Sequence, residues 1–400
     1  YNHNRGEKMK KTIKDFELKG KTVIIRCDLN VPMIDGTIED DTRIRSSLRT
    51  IKFAIDASAK VILLSHLGRV KKDADKITNS LYPVSIRLSK YLGREVLFSY
   101  DTRSDVLTKR AQELKEKDIL LIENTRFEDL DGNKESSCDL ELAKYWSSLG
   151  DIFINDAYGS CHRRHASIVG IPQYLPSGIG FLVDKELKKI DAILNSKTHS
   201  FIVILGGKKI EDKITLIERL LEKCDKLLIG GAMSFPFLKT LGYDVVDSLN
   251  AKEYQSFCQR VLKKYEDKIV LPSDFLTSRD NQNIEIKNIN DISGKDIGYD
   301  IGPKTIKRFE EEIKKAKRVV INGPMGIFED KRFAHGTSEI FKVLDKNKIK
   351  TLVGGGDTAS AANSLGYASS FYHISTGGGA TLKYLEDGKL VGIEAIDDKE

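Results

Sequence analysis

The chain has 400 residues, 40% hydrophobic and 31% charged, with only 8 Pro and 31 Gly. Domains typically run to about 100–200 residues, so two packed domains are expected, and disordered, collagen-like and single-module classes are excluded. Lys plus Arg exceed Asp plus Glu by 65 to 59, a net charge of +6 too small over this length to argue for nucleic acid or an anionic membrane, whereas small anionic ligands remain open.

Residues 1–8 are set aside as a leader or foreign remnant, because Met9-Lys10-Lys11-Thr12 looks like a natural start. Five short apolar runs follow: TVIIRCDL (22–29), VILLSH (61–66), EVLFS (95–99), DILLIEN (118–124) and IFINDA (152–157). Between them lie segments with helical spacing, such as Ile44, Leu48, Ile51, Ala54 and Ile55. Runs apolar on both faces, each followed by a helix, predict parallel strands covered on both sides. DKELKKIDAILN (184–195) reads as a connecting helix, with the polar Ser196-Lys197-Thr198-His199 after it. The rhythm then restarts with FIVILGG (201–207), KLLIGG (226–231), KIVLPS (268–273), RVVINGP (318–324), KTLVGG (350–355) and SFYHIS (370–375). The expected fold is α/β, two doubly wound parallel-sheet lobes joined by a connecting helix.

Five cysteines (Cys27, Cys138, Cys161, Cys224, Cys258) form an odd set without a CxxC pair, which suits a reducing compartment and gives neither a disulfide framework nor a zinc ribbon. No apolar run approaches the roughly 20 residues that cross a bilayer. A cytoplasmic protein without membrane partners is expected.

Open parallel sheets bind ligands beyond the carboxyl ends of their strands. In the first half those ends carry Asp28 and Asn30, His66 and Arg69, Asn124 and Arg126, then Asn155, Asp156, His162, Arg163 and His165. Arginines and histidines gathered there make a cationic cup for a carboxylate or phosphate, since Arg offers such groups a planar fork of donors. In the second half the ends are glycine-rich: Gly206-Gly207 with Lys208, Lys209 and Lys213, Gly230-Gly231, Gly323-Pro324-Met325-Gly326, Gly354-Gly355-Gly356-Asp357 and Gly377-Gly378-Gly379. Glycine lets backbone N–H groups approach a phosphate, and a helix opening just afterwards directs its positive end at the anion. Five such turns on one sheet favour a polyphosphate site.

Other patterns carry less. Gly20-Lys21-Thr22 imitates the end of a P-loop but precedes a strand. Gly354-x-Gly356-x-x-Ala359 fits a dinucleotide fingerprint, yet the next strand ends near Ile374-Ser375-Thr376 without the acid that holds a ribose. His162 and His165 have the spacing of two metal ligands, but no cysteine or carboxylate partner joins the pair, so anion binding or a structural use is expected over metal. Cys27 and Cys161 read as packing residues.

The longer motifs RCDLNVP (26–32), DDTRIR (40–45), SHLGR (65–69), ENTRF (123–127), NDAYGSCHRRHAS (155–167), GFLVDKEL (180–187), LGGKKIEDK (205–213), DIGPKT (300–305), NGPMGIFE (322–329), GGGDT (354–358) and STGGGATL (375–382) stand in one order. In these blocks the chain resembles the phosphoglycerate kinase family from Met9 onward. The resemblance implies a phosphotransferase that moves phosphate between 1,3-bisphosphoglycerate and MgADP, giving 3-phosphoglycerate and MgATP, after closure of two lobes. It implies a triose-acid lobe over 9–183, a connecting helix and hinge over 184–198, a nucleotide lobe over 199–384, and a segment 385–396 crossing back to the first lobe. At matching positions Asp28, Asn30, Arg43, His66, Arg69, Arg126 and Arg163 would hold the triose acid. Gly207, Lys209, Lys213, Gly302, Asn322, Pro324, Glu329, Asp357 and Thr358 would face the nucleotide, with Glu329 toward the ribose and Asp357 toward Mg²⁺. Arg43 and Lys209 are the expected donors of charge to the moving group, with the backbones of Gly354, Gly355, Gly356, Gly377, Gly378 and Gly379 around the phosphates. The family pattern also implies a monomer.

The chain departs from that pattern at Lys208, Ala232, Ser234 and Pro236, which bear on nucleotide fit, and at Val70. Two rival readings are weighed. A dehydrogenase would need the missing ribose acid. A nucleic-acid binder would need a contiguous basic stripe with exposed aromatics, whereas the lysines here are dispersed along amphipathic helices.

Overall fold

The computed structural model describes residues 9–196, 199–245, 251–293 and 295–399; residues 1–8 and the Lys197-Thr198 part of the expected hinge lie outside them. The chain divides into two compact units, one running to Leu187 and taking in the segment from Lys389 onward, the other spanning Lys188–Gly388.

In the first unit the strands are β1 (Thr22–Cys27), β2 (Met33–Ile34), β3 (Thr37–Ile38), β4 (Lys60–Leu64), β5 (Leu97–Ser99), β6 (Ile119–Ile122), β7 (Ile152–Asp156) and β8 (Ser177–Ile179). Six of them form a sheet in the order β5-β6-β4-β1-β7-β8, and β2 pairs with β3. Every ladder of the six is parallel, with Ile24 opposite both Ile62 and Phe153. Helices cover both faces, which is why β6 and β7 are buried along their whole length. The helix Thr42–Asp56 turns Ile44, Ile51, Ala54 and Ile55 inward at the expected spacing. The sequence reading missed β8, whose Ser-Gly-Ile offers no apolar run.

The second unit holds β9 (Phe201–Leu205), β10 (Lys226–Ile229), β11 (Ile269–Val270), β12 (Asp274–Ser278), β13 (Glu285–Asn288), β14 (Ile297–Ile301), β15 (Arg318–Asn322), β16 (Lys350–Gly354) and β17 (His373–Ile374). Its six-stranded sheet is parallel in the order β11-β10-β9-β15-β16-β17. A second, three-stranded sheet β13-β12-β14 is antiparallel and was not expected.

The connecting helix spans Phe181–Leu194, opening before the expected 184. The buried Asp156 carboxylate sets that start by accepting Leu182 N–H at 2.8 Å and Val183 N–H at 3.3 Å. At its far end Arg318, in β15, donates to the carbonyls of Ile193 and Leu194, placing a cation at the negative pole of the helix. Ahead of the helix, Gly178 lies in β8 and Gly180 N–H is bonded to Asn155 O at 2.9 Å, so both glycines are constrained.

The segment after Gly388 is stitched into the first unit. Asn155 Nδ2 donates to Gly392 O at 3.2 Å, Gly392 N–H to Cys161 O at 2.8 Å and Lys11 N–H to Asp397 O at 2.9 Å. Leu385, by contrast, is buried within the helix Gly378–Asp387 of the second unit.

Candidate functional site

Two clusters form, one at the carboxyl edge of each parallel sheet. In the first unit Asp28 follows β1 and receives both contacts of Arg43, whose Nη1 lies 2.8 Å from each carboxylate oxygen. Arg43 sits in the first turn of Thr42–Asp56, still about one-third exposed at 36%, so its remaining N–H groups can meet a ligand. Asn30 Oδ1 accepts Gly68 N–H at 2.8 Å, and Gly68 O accepts from Arg126 Nη1 at 2.7 Å. These bonds tie three of the motifs read from the sequence into one wall. Arg163 Nε donates to His162 Nε2 at 3.3 Å, while Arg69 stands exposed at the rim.

The electrostatics are those of an anion receptor. Burial first, then Arg26, Arg126, Arg163 and His165, push the pKa of His66 well below its ordinary value. Burial and the same arginines bring His165 down to about 3, and burial with Arg163 lowers Arg126. Like charges held this close favour whichever ligand brings negative charge. Sequence reasoning missed the layer beneath: Arg26 is fully buried, bonded through Nε to Ser167 Oγ at 2.8 Å, and Ser167 is held by the buried Glu135. A lone arginine inside an apolar strand was the one available signal.

In the second unit the turns after β9, β15 and β16 interlock. Gly206 N–H donates to Asn322 O and Gly207 N–H to Pro324 O, each at 2.9 Å. The approach is so close that a Cβ on Gly206 would fall on the Pro324 carbonyl oxygen and one on Gly323 (φ +96°) on that of Gly206. Lys213 Nζ lies 2.6 Å from Gly206 O and 3.2 Å from Asn322 O, a cation held on the ends of β9 and β15. Asn322 Nδ2 donates to Gly354 O at 2.8 Å, and Thr358 Oγ1 accepts Gly323 N–H at 2.6 Å, so both side chains knit loops together. The helices Gly356–Ser364 and Gly378–Asp387 open side by side, since a Cβ on Gly378 would come 3.1 Å from Gly355 Cα. Two positive helix ends therefore open on one edge, while the amides of Gly206, Gly207 and Gly323 are spent on holding the turns together.

Lys208, Lys209, Glu329 and Asp357 are exposed around that edge. Gly302 opens the helix Pro303–Ile313, but the first amides of that helix are taken by Asp274, whose carboxylate accepts Lys304 N–H at 2.9 Å and Thr305 N–H at 2.7 Å. Gly302 therefore makes room for Asp274 and presents no open helix end.

Beneath the turn Gly323–Gly326 the buried Asp300 accepts Gly336 N–H at 2.7 Å and Ile301 N–H at 2.8 Å, and burial raises its pKa to about 7. Between its ordinary 3.8 and about 7 the folded state holds a proton that the unfolded chain has lost, so stability falls as pH rises through that window. Asp300→Asn should flatten this contribution, read from urea unfolding at about pH 5 and about pH 8. An unchanged difference between the two pH values would show that Asp300 is already ionised in the fold.

The phosphoglycerate kinase family model matches residues 13–389. A phosphoglycerate kinase of Staphylococcus aureus strain bovine RF122 / ET3-1 is 48% identical over 394 residues, 98% of this chain and all of that protein. The chain belongs to the phosphoglycerate kinase family. Among solved structures, phosphoglycerate kinase from Coxiella burnetii superposes with a TM-score of 0.86 at 32% identity, covering 96% of this chain and 98% of the other. That from Pyrococcus horikoshii OT3 gives 0.82 at 29% identity over the same shares. Family, relatives and fold agree on a glycolytic phosphotransferase with a carboxyl group as acceptor, which reversibly transfers a phosphoryl group between 1,3-bisphosphoglycerate and ADP and so binds 3-phosphoglycerate and ADP or ATP. The dehydrogenase reading is set aside. No helix among the described residues is long and apolar enough to cross a membrane.

Proposed function

We propose that the cup of the first unit, formed by Asp28, Asn30, Arg43, His66, Arg69, Arg126 and Arg163, holds the triose acid, and that the glycine edge of the second unit holds the nucleotide. The observation that carries this reading is the pair of helix ends at Gly356 and Gly378, which open side by side and turn their positive poles toward the place a chain of phosphates would take. Glu329 is exposed beside it and suits a ribose hydroxyl. Asp357 is an exposed carboxylate in the first turn of Gly356–Ser364 with no ion-pair partner among the described residues, the hard oxygen donor that a Mg²⁺ ion already held by phosphates would take. When bound, Mg²⁺ neutralises phosphate charge. The rest falls to the chain: the helix ends at Gly356 and Gly378 orient the phosphates, and Arg43 and Lys209 supply charge to the group in flight.

Following ATP formation from ADP and 1,3-bisphosphoglycerate tests the reaction, and Arg126→Met tests the division of ligands. It should raise KM for 3-phosphoglycerate and leave MgADP affinity alone; equal losses would end the assignment.

Lys208→Ala should change MgADP affinity less than about twofold, because an exposed lysine keeps its head in water. A large loss that diminishes with added salt would instead make Lys208 a phosphate contact. Since the two ligand sets belong to separate units, transfer requires the units to bring reacting atoms within about 3–3.5 Å. Small-angle scattering should therefore give a smaller radius of gyration with both substrates than with either; identical curves during turnover would refute closure.

The five cysteines are all unpaired, which supports a cytoplasmic setting. The chain acts in this reading as a monomer without nucleic-acid or membrane partners, which sedimentation and gel shift would test.

A further inference from the structure

Each of the three nitrogens of the Arg26 guanidinium is engaged. Nε donates to Ser167 Oγ at 2.8 Å, Nη1 to the Cys27 carbonyl, and Nη2 to His66 Nδ1 at 3.2 Å. Ser167 is fixed in turn by Glu135, which accepts its hydroxyl at 2.5 Å and its N–H at 3.0 Å. Arg26, Ser167 and Glu135 are all fully buried, and His66 is 5% exposed. A guanidinium has donors only and keeps its proton in proteins. The ring nitrogen facing it must present a lone pair, so a neutral His66 carries its proton on Nε2.

We propose that Arg26, held by Ser167 and Glu135, is a positioning residue that locks His66 as the neutral Nε2–H tautomer, making its other edge a fixed hydrogen-bond donor to the anionic substrate. The inference rests on assigning the triose acid to this cup. The groups facing His66 all oppose a second proton: Arg26 from β1, Arg126 after β6, and Arg163 and His165 after β7, in addition to burial. The nearby carboxylates act elsewhere, Glu135 and Asp28 on Arg26 and Asp28 also on Arg43. The arginines thus provide the charge of the cup, and the histidine provides direction that does not vary with pH.

The test uses the full chain labelled with nitrogen-15 at histidine, with the His66 resonances identified through His66→Gln. Two-bond proton–nitrogen spectra should show His66 as the Nε2–H tautomer, unchanged between about pH 5.5 and 8.5. Arg26→Met should leave the ring neutral, because burial, Arg126, Arg163 and His165 remain, but let it exchange between its two tautomers and raise KM for 3-phosphoglycerate roughly tenfold or more, while kcat and MgADP affinity stay within about twofold. Because Arg26→Met strands Glu135 and can fail to fold, Ser167→Ala provides the second arm. It removes the tether and leaves Glu135 its backbone contact with Ser167 N–H, and should produce the same change in KM to a smaller degree; Arg26→Lys should raise KM less than Arg26→Met. A parent His66 that titrates near its ordinary value, or that carries its proton on Nδ1, overturns the lock. A locked tautomer together with an unchanged KM in His66→Gln overturns the donor role, and with it the placement of the triose acid in this cup.

Discussion

Lys209→Ala should lower kcat roughly 100-fold or more, the scale of losing one preorganised donor at a developing charge, with little change in stability. Lys209 is exposed two residues beyond Gly207, whose φ of +102° turns the chain back over the ends of β9 and β15. Among the described residues its side chain makes no hydrogen bond or ion pair, so its removal is a test of chemistry alone. Lys213 is the natural control: its ammonium is held on the carbonyls of Gly206 and Asn322, and losing it takes away the cation on Gly206 O, while Asn322 O keeps the Gly206 N–H. Lys213→Ala should therefore destabilise the second unit, measured as a lower urea midpoint, as well as slow turnover. If Lys209→Ala retains near-full kcat, the transferring charge comes from Lys213 and the assigned roles are reversed.

Asp357→Asn should weaken MgADP binding about tenfold or more, the cost of losing a charged contact, while 3-phosphoglycerate binding is unchanged. The amide keeps the shape of the side chain and loses its charge, so the substitution isolates the metal contact. In calorimetry with excess EDTA the two proteins should bind ADP alike, because Asp357 acts through Mg²⁺. Equal loss for both ligands, or a difference that persists without metal, would make Asp357 a structural residue of the helix Gly356–Ser364.

The parallel sheets were legible because their strands are apolar on both faces, as in Val23–Cys27 and Phe201–Leu205, and because each carboxyl end carries polar or glycine residues. The sheet β13-β12-β14 was not, since β13 (EIKN) is largely solvent-facing and looks like any surface segment. The start of the connecting helix was misplaced because Asp156, 26 residues before Leu182, sets it. Most residues carried over by the resemblance line the two edges, yet Asn322 and Thr358 turn inward to knit loops and the helix after Gly302 is closed by Asp274. Glu135 gave no signal at all: Asn133-Lys134-Glu135-Ser136-Ser137 reads as a solvated loop, and only the packing around Ser167 shows its carboxylate to be buried.

The return of the last residues to the first unit imposes an order on synthesis. Residues 188–388 are contiguous and emerge with every contact of their own compact unit available, so that unit can fold as the ribosome releases it. The unit made earlier must wait, because the carbonyl of Cys161, Nδ2 of Asn155 and the N–H of Lys11 are bonded to Gly392 and Asp397. During elongation its β7–β8 side stands unfinished, and a chain halted before Gly392 exposes Ile168 where Gly392 would pack. The amino-terminal unit, though made first, is therefore completed only after the whole of the other unit has been made.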